Sequence, residues 1–379
     1  MTKFCKETGV FNPQDVQVRI GRGREAIQLL DERWDDLVMK QPAPNPTLSS
    51  PWLREMALKR NGTPLIIVVD SKDGLLAGGA FSLIRKGGQR GVRIATWLGG
   101  NGRPMILPDI LVAPEASYAG ELVFKRLIRD EAHAVWLLPT LQEGAAAVSL
   151  RSVAPWMYSH PFLDTWIVSL PPPKLESFRK KVNYRLRRAR RLGSSIEVIA
   201  HSNPSDIASA LDRLFHLHKM RWRERNDVSS FSEAELYRAW HRRAVAAMAS
   251  VGNVRIIETL EDGKLVASLL GLLCGRGSMF HTPATSIGGQ LRGPGHVTML
   301  AWIEEAMKSE AKVLLLGGGS GEPEGPKGSL GPTMHDCGSL LAGRTPGIQR
   351  LILSSIRLRN KFIKLRNRSN RIIQSRPKG

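Results

Sequence analysis

The sequence predicts an α+β protein of two tandem units, each a mixed, mainly antiparallel sheet flanked by helices. Three observations carry this. Between residues 24 and 138 the pattern runs helix, helix, three apolar strands, a loop rich in Gly and Pro, a helix and a buried strand. From residue 204 to 316 the same order returns. At 379 residues the chain is long enough for two ordinary domains, each with its own core. The repeat is one of order, without evident residue identity between the halves.

The elements follow from local pattern. Residues 1–23 are polar and read as a flexible N-terminus. Ile27, Leu30, Trp34, Leu37 and Val38 share one side of a helix over 24–39. A proline-rich link, Pro42 to Pro46, precedes a short helix opened by Pro51-Trp52-Leu53. Leu65 to Val69 is a strand, Asp73-Gly74 a turn, Leu75 to Ile84 its hairpin partner and Val92 to Leu98 a third strand. Gly99 to Pro108 is a loop, Glu121 to Asp130 a helix and Ala134 to Leu138 a buried strand. Trp166-Ile167-Val168 is a strand in the segment that joins the halves. Lys174 to Leu192 is a basic helix, Ile196 to Ile199 a strand and Pro204 to Arg225 a long helix. Ser232, with Glu235 three residues on, is a capping box for a helix reaching about Ala249. Val254 to Leu260 and Leu265 to Cys274 form a hairpin around Glu261-Asp262-Gly263-Lys264. The expected boundaries are 1–23, a first unit at 24–158, a second at 159–343, and a tail at 344–379.

The net charge of +21 is concentrated. Lys174 to Arg191 carries +8 and Arg344 to Gly379 carries +11, so the rest is close to neutral. Basicity therefore belongs to two segments and not to a whole nucleic-acid-binding domain, and nucleic acid is not the expected partner. Cys5, Cys274 and Cys337 are too widely spaced for a zinc site or a disulfide framework, which fits a reducing compartment. The N-terminal residues lack the apolar run of a signal peptide, and no uncharged run reaches transmembrane length. A cytoplasmic location is expected, with peripheral contact at the inner membrane face as an option.

The most informative stretch is Gly277 to Gly319: strand, glycine-rich turn, helix, strand. The turn reads Gln290-Leu291-Arg292-Gly293-Pro294-Gly295. Met299, Trp302, Ile303 and Ala306 then give a helical apolar stripe, and Val313 to Leu316 a buried strand running into three glycines. Glycines admit close backbone approach, and a helix N-terminus offers unpaired N–H groups and partial positive charge. Arg292 adds a cation, so the turn suits a diphosphate. It is not a Walker A loop, since no Lys-Ser/Thr follows. Gly317 to Gly343 is read as a long Gly/Pro loop region, with Gly317 to Gly331 either a mobile active-site loop or a long connection.

With this strand order, Gln290-x-x-Gly293-x-Gly295 resembles the GNAT superfamily of N-acetyltransferases. Further features resemble its tandem, CelD-like branch, named for cellulose biosynthesis and related to Fem-type transferases. They are Trp34-x-x-Leu37, Pro51-Trp52-Leu53, the Arg-rich helix at Arg179–Arg191, His218-x-x-Arg221-Trp222, the Asp262-Gly263 hairpin and Gly293-Pro294-Gly295-His296. The resemblance spans roughly residues 25–340. It implies acetyl-CoA or another acyl-CoA as co-substrate, no metal, and a setting in exopolysaccharide or cell-envelope metabolism. That branch usually ends the strand after the cofactor helix with an acid and follows it with a Tyr-Lys pair. Here Leu316-Gly317-Gly318-Gly319 and Pro326-Lys327 stand in those places.

On this basis Gln290, Arg292, Gly293, Gly295 and His296 are the cofactor-binding candidates, Pro294 having no N–H to give. His281, Glu258 and Lys327 are the candidates for catalysis, with His335 and Asp336 a further option for the base. A packed histidine is the blander reading of His281. His216 and His218, two apart on a helix, do not share a face and are no metal pair. Lys181, Arg185 and Arg188 form one row on the basic helix and, with Arg221, are candidates for a small-molecule or carrier-linked anionic acceptor. A solvated basic face is the alternative for the row, and packing for Arg221. Residues 346–379 form an amphipathic cationic helix, suited either to an anionic membrane or to packing on the body. Two other functions stay open: a non-catalytic accessory protein, and a Fem-type aminoacyl transferase that uses the basic helix for RNA.

Overall fold

The computed structural model describes residues 16–58, 62–88, 91–99, 107–154, 157–161, 164–224, 235–286, 288–319 and 326–354. The first unit comprises β1 (Gln17–Arg22), α1 (Arg24–Gln28), α2 (Glu32–Met39), α3 (Ser50–Ala57), β2 (Thr63–Ser71), β3 (Gly74–Lys86) and β4 (Val92–Trp97). It continues with β5 (Leu111–Val112), α4 (Ala119–Arg126), β6 (Ala134–Leu141), α5 (Ala145–Val153) and β7 (Met157–Pro161). Then follow β8 (Asp164–Ser169), α6 (Leu175–Arg191), β9 (Ile196–His201), α7 (Pro204–Glu224), α8 (Glu235–Ser250), β10 (Val254–Glu261), β11 (Lys264–Cys274) and β12 (Gly277–Thr285). The last elements are α9 (Pro294–Lys308), β13 (Val313–Gly319), β14 (Thr333–His335) and β15 (Cys337–Gly343).

Two mixed sheets result, ordered β1-β2-β3-β4-β6-β15-β7, with β5 beside β3, and β14-β8-β13-β12-β11-β10-β9. The internal repeat is plain in this order. In each unit a leading strand, helices, three antiparallel strands, a helix and a parallel strand follow one another, β1 to β6 in one and β9 to β13 in the other.

Three expectations change. Residues 17–22 are not part of a flexible arm: β1 pairs with β2 from Gln17↔Asp70 to Arg22↔Leu65. Its alternating Val18 and Ile20 pack on the core, as period-two apolar residues must. The helix over 24–39 is broken at Asp31, which adopts an extended conformation and accepts the Trp34 N–H as N-cap of α2. The Ser232 half of the capping box lies outside the described residues, and α8 begins at Glu235.

The third change concerns the boundary between units. The division expected at 158/159 falls inside β7, and the second unit does not keep all of 159–343. Within the stretch read as a connection, β15 crosses back to the first sheet and pairs with β6 and β7. The position beside β13 in the second sheet is filled instead by β8, which follows β7 in the chain. Each sheet thus holds a strand that is covalently continuous with the other. The cause is burial: Leu340, Leu341 and Ala342 are fully enclosed in the first unit.

Two core layers sandwich the second sheet. Ile256, Leu270, Leu272, Met279 and Leu315 join α7, α8 and the core of the first unit. Ile257, Leu269, Phe280, Leu314 and Leu316 pack instead with α6 and α9. Trp52 of α3 meets Trp240 of α8 edge-on at 5.5 Å, and Arg243 donates to Glu55 at 2.9 Å, so the two units share one core layer. Ile352, in the helical stretch 346–354, packs against Ile94, Ala134 and Leu341, so the start of the tail lies on the body. The amphipathic helix expected beyond residue 354 lies outside the described residues. No helix among the described residues is long and apolar enough to cross a membrane.

A chain ending at Asp336 loses β15 and leaves the facing edges of β6 and β7 unpaired. It is expected to lose cooperative urea unfolding, whereas a chain ending at residue 354 keeps it. Leu340→Ala in the full chain is expected to cost about 2–5 kcal/mol in the same measurement.

Candidate functional site

The site begins where two parallel strands part. β12 and β13 pair only through Gly277↔Val313, Ser278↔Leu314 and Met279↔Leu315. β12 then runs on from Phe280 to Thr285 without β13, which stays paired with β8 from Val313 to Gly319 across an irregularity between Leu315 and Gly317. The strands diverge into a gap whose apex is Phe280, and backbone N–H and C=O groups along that edge of β12 have no strand partner there.

The glycine turn sits at the mouth of the gap. Gly293 is the N-cap of α9 in the left-handed conformation, φ 68° and ψ 59°, and Pro294 takes the first helical position. A Cβ on Gly293 would collide with the Arg185 guanidinium, whose Nη1 donates to the Arg292 carbonyl at 2.7 Å. The turn is held from beneath by Glu261, which sequence reading left in a hairpin turn. Its Oε1 accepts from the Leu291 N–H at 2.7 Å and from Ser194 Oγ at 3.1 Å, and its other oxygen lies where a Cβ on Gly289 would be. The Leu291 N–H is thereby used, and the His296 N–H bonds the Gly293 carbonyl at 3.0 Å. The His296 ring stacks on Phe178 at 5.8 Å, and burial pushes its pKa down to about 4. His296 therefore shapes the helix start, and the N–H groups of Arg292, Gly293 and Gly295 remain for an anion.

A cavity of about 720 Å³ follows the gap through the sheet. His218, Arg221 and Trp222 of α7 line it on one face; Phe280, Thr298 and Lys327 line it on the other. Arg221 donates to the Thr285 carbonyl at 3.2 Å, and the Trp222 Nε1–H donates to His218 Nε2 at 3.1 Å. Burial, reinforced by Arg221, pushes His218 down to about 4, so it is neutral at pH 7. The Ser268 hydroxyl also lines the cavity and is buried without a hydrogen-bond partner among the described residues. Lys327 Nζ lies 5.4 Å from the Phe280 ring centre and 5.9 Å from that of Trp166, at the apex of the gap. Burial pushes its pKa down to about 8. Among the described residues no carboxylate lines the cavity.

The other two catalytic candidates are elsewhere. His281, one residue from Phe280, points to the opposite face of β12 and does not line the cavity. Its ring meets Trp52 at 5.1 Å and His241 at 5.7 Å, and burial pushes it down to about 4. It is a packing residue between the units. Glu258 is enclosed by Arg213, which donates to both its oxygens at 2.8 and 2.7 Å, and by His201 Nε2 at 2.8 Å. A carboxylate so held is not available to a substrate. The structure does bring Lys181, Arg185, Arg188, Gln290 and Arg292 together, in a groove of about 300 Å³ next to the turn. Among the described residues no group of three His, Cys, Asp or Glu has the arrangement of a metal site.

The matching gap of the first sheet is closed. β4 and β6 pair only at Ile94↔Ala134 and Ala95↔Val135. Beyond these pairs Trp97 fills the space: its Nε1–H donates to the Pro139 carbonyl and to Thr140 Oγ1, both at 3.1 Å, and its ring stacks on Phe81.

Parallel strands that part over a glycine-capped helix are the frame of one family, and residues 176–323 match its model, described as an acetyltransferase (GNAT) domain. The match falls within the second unit. A search of curated proteins finds no match. Among solved structures the chain is similar to FemX, at 11% identity over 88% of this chain and 99% of FemX, with a TM-score of 0.62. It is similar to a conserved protein of unknown function from Bacteroides thetaiotaomicron, at 15% identity over 86% and 100%, with a TM-score of 0.54. L-PGS from Bacillus licheniformis gives 12% identity over 86% and 96%, with a TM-score of 0.50. At these identities the likeness is one of fold, and it extends over both units. A GNAT domain uses acyl-CoA, and the cradle of Arg292, Gly293 and Gly295 suits its diphosphate.

Gly293→Ala forces a Cβ into a left-handed position and against Arg185. A non-glycine residue held there costs of order 1–3 kcal/mol. Acetyl-CoA affinity, read by calorimetry, is expected to fall about tenfold or more, while the far-ultraviolet circular dichroism spectrum stays unchanged.

Proposed function

We propose that the protein transfers an acyl group from acyl-CoA, acetyl being the simplest, to an amine on an anionic acceptor. The observation that carries this reading is Lys327 at the apex of a strand gap whose mouth is a glycine turn at a helix N-terminus. The diphosphate sits on the N–H groups of Arg292, Gly293 and Gly295, and the thioester arm lies along the open edge of β12, with the reacting carbon near Phe280. The acceptor nitrogen bonds that carbon, the carbon–sulfur bond breaks and the thiolate leaves. The proton lost by nitrogen passes to neutral Nζ of Lys327. Lys327 thus supplies the ionisable group in place of the acid and tyrosine that the branch usually carries. Holding the amine against the thioester provides much of the remaining rate. The CelD-like features support a setting in exopolysaccharide or cell-envelope metabolism.

Aminoacyl transfer from tRNA is the second reading, supported by the likeness to FemX across its length. It requires steeply salt-dependent tRNA binding that displaces CoA. The basic tail supports a further proposal, peripheral contact with an anionic membrane. Deleting residues 355–379 is expected to abolish flotation with vesicles containing phosphatidylglycerol; unchanged flotation would end that part.

Calorimetry with acetyl-CoA at low salt tests the main reading. Wild type is expected to bind and Arg292→Glu to lose at least tenfold; no binding by wild type would sink it. The base is tested by following thiol release with anionic amines such as amino-sugar phosphates. A base must be neutral to act, so kcat/KM is expected to rise with pH through about 8. Lys327→Gln is expected to lower it about 100-fold and flatten that limb. If Lys327 instead held the acceptor's anion, the rate would fall above pH 8.

A further inference from the structure

Among the described residues Lys327 is the one lysine that lines the cavity, with Nζ facing the rings of Phe280 and Trp166. The backbone that carries it is anchored. Leu330, three residues on, is fully buried, and its N–H donates to the Lys327 carbonyl at 3.2 Å. The Leu330 carbonyl accepts from the Lys174 N–H at 3.4 Å, and Ser329 Oγ accepts from Lys181 Nζ at 3.2 Å. The basic helix α6 and the residue before it thus clamp the turn that follows Lys327, and the amine is kept at the apex of the gap.

The surroundings favour the uncharged amine. Among the described residues the other charged or titratable groups that line the cavity are His218, Arg221, Arg292 and His296, so no acid is present there to hold an ammonium. Burial pushes Lys327 down to about 8. At pH 7 about one amine in ten is then neutral, against about one in 2,500 for an ordinary lysine. A neutral amine is a nucleophile as well as a base. In the acyl-CoA reading the thioester carbon lies near Phe280, whose ring centre is 5.4 Å from Nζ. With an acceptor bound, the acceptor nitrogen stands against that carbon. Without one, Nζ is the amine left beside it.

We propose that acyl-CoA acylates Lys327 itself when no acceptor is bound, and that the resulting amide switches the enzyme off. The inference rests on the acyl-CoA reading. Nζ bonds the thioester carbon, the carbon–sulfur bond breaks and coenzyme A leaves as the thiolate. The proton that Nζ loses passes to the thiolate, so the products are free coenzyme A and an Nε-acyl-lysine. The product suits the aromatic floor better than the ammonium form does, because an uncharged amide costs less to bury than a cation without a counter-ion. Its nitrogen no longer takes up a proton. An amide is also a much poorer acyl donor than a thioester, so the group stays.

Full-length protein incubated with acetyl-CoA alone and mapped by peptide mass spectrometry tests this. Lys327 is expected to gain one acetyl group at least about 100-fold faster than Lys264, which is exposed at the tip of the β10–β11 hairpin. At acetyl-CoA concentrations below the wild-type Kd, Arg292→Glu is expected to slow labelling of Lys327 about tenfold or more and to leave Lys264 unchanged. Lys327→Arg is expected to lose the fast phase of labelling seen by intact mass. Wild type acetylated at Lys327 is expected to release thiol to amino-sugar phosphates about 100-fold more slowly than unmodified protein. Labelling of Lys327 no faster than Lys264, in protein that binds acetyl-CoA by calorimetry, would overturn the proposal and leave the acyl-CoA reading standing. A fast phase that survives in Lys327→Arg, or full activity after complete acetylation of Lys327, would overturn it too. No binding of acetyl-CoA would remove both.

Discussion

Backbone hydrogen bonding between β12 and β13 ends after Met279 and Leu315, and much of the second sheet's character follows from that break. A parallel pair that stayed zipped would present no free edge, and its two faces would be sealed from each other. Once it opens, the core layers on the two faces are separated only by the contents of the gap. The turn at Gly293 works because the gap lies beneath it. Glu261 and Arg185 both fix the turn, one by accepting its Leu291 N–H and one by donating to its Arg292 carbonyl. Lys327 reaches the apex only because Phe280 and Trp166 form an apolar floor there. The same floor removes water from the amine and brings its pKa toward neutrality.

The first sheet repeats the break without its consequence. Its parallel pair also ends after two residues, yet Trp97 spans the space and satisfies its own N–H on β6. One indole thus converts the gap into core. The first unit contributes in another way: Trp52 and its neighbours back the sheet face that carries His281 and α8. One copy of the repeat holds the chemistry and the other supports it.

What was legible in the sequence was local. Hairpins, the glycine turn, the stripe on α9 and the row on α6 all depend on residues within a few positions of each other, and each is found where its spacing put it. His281 shows where that stops. Phe280 and His281 alternate across a strand, and which one meets the gap is set by register with strands elsewhere in the chain, not by residue type. Glu258 looked like a base because a carboxylate was read without Arg213, which approaches from α7. Glu261 was unreadable for the converse reason: its partners, Ser194 and Leu291, are distant in sequence. The strand exchange was hidden by composition, since Cys337 to Gly343 is short and follows a long glycine-rich segment.

That exchange bears on how the chain is made. The first sheet needs β15 between β6 and β7, and β15 is the last of its strands to be synthesised. At about 5–20 residues per second, the ribosome takes on the order of 10–35 s to pass from the end of β7 to β15. During that time the first unit exists with two open strand edges and an incomplete core. It cannot finish folding before the second unit has emerged, so the two halves mature together after synthesis rather than one by one.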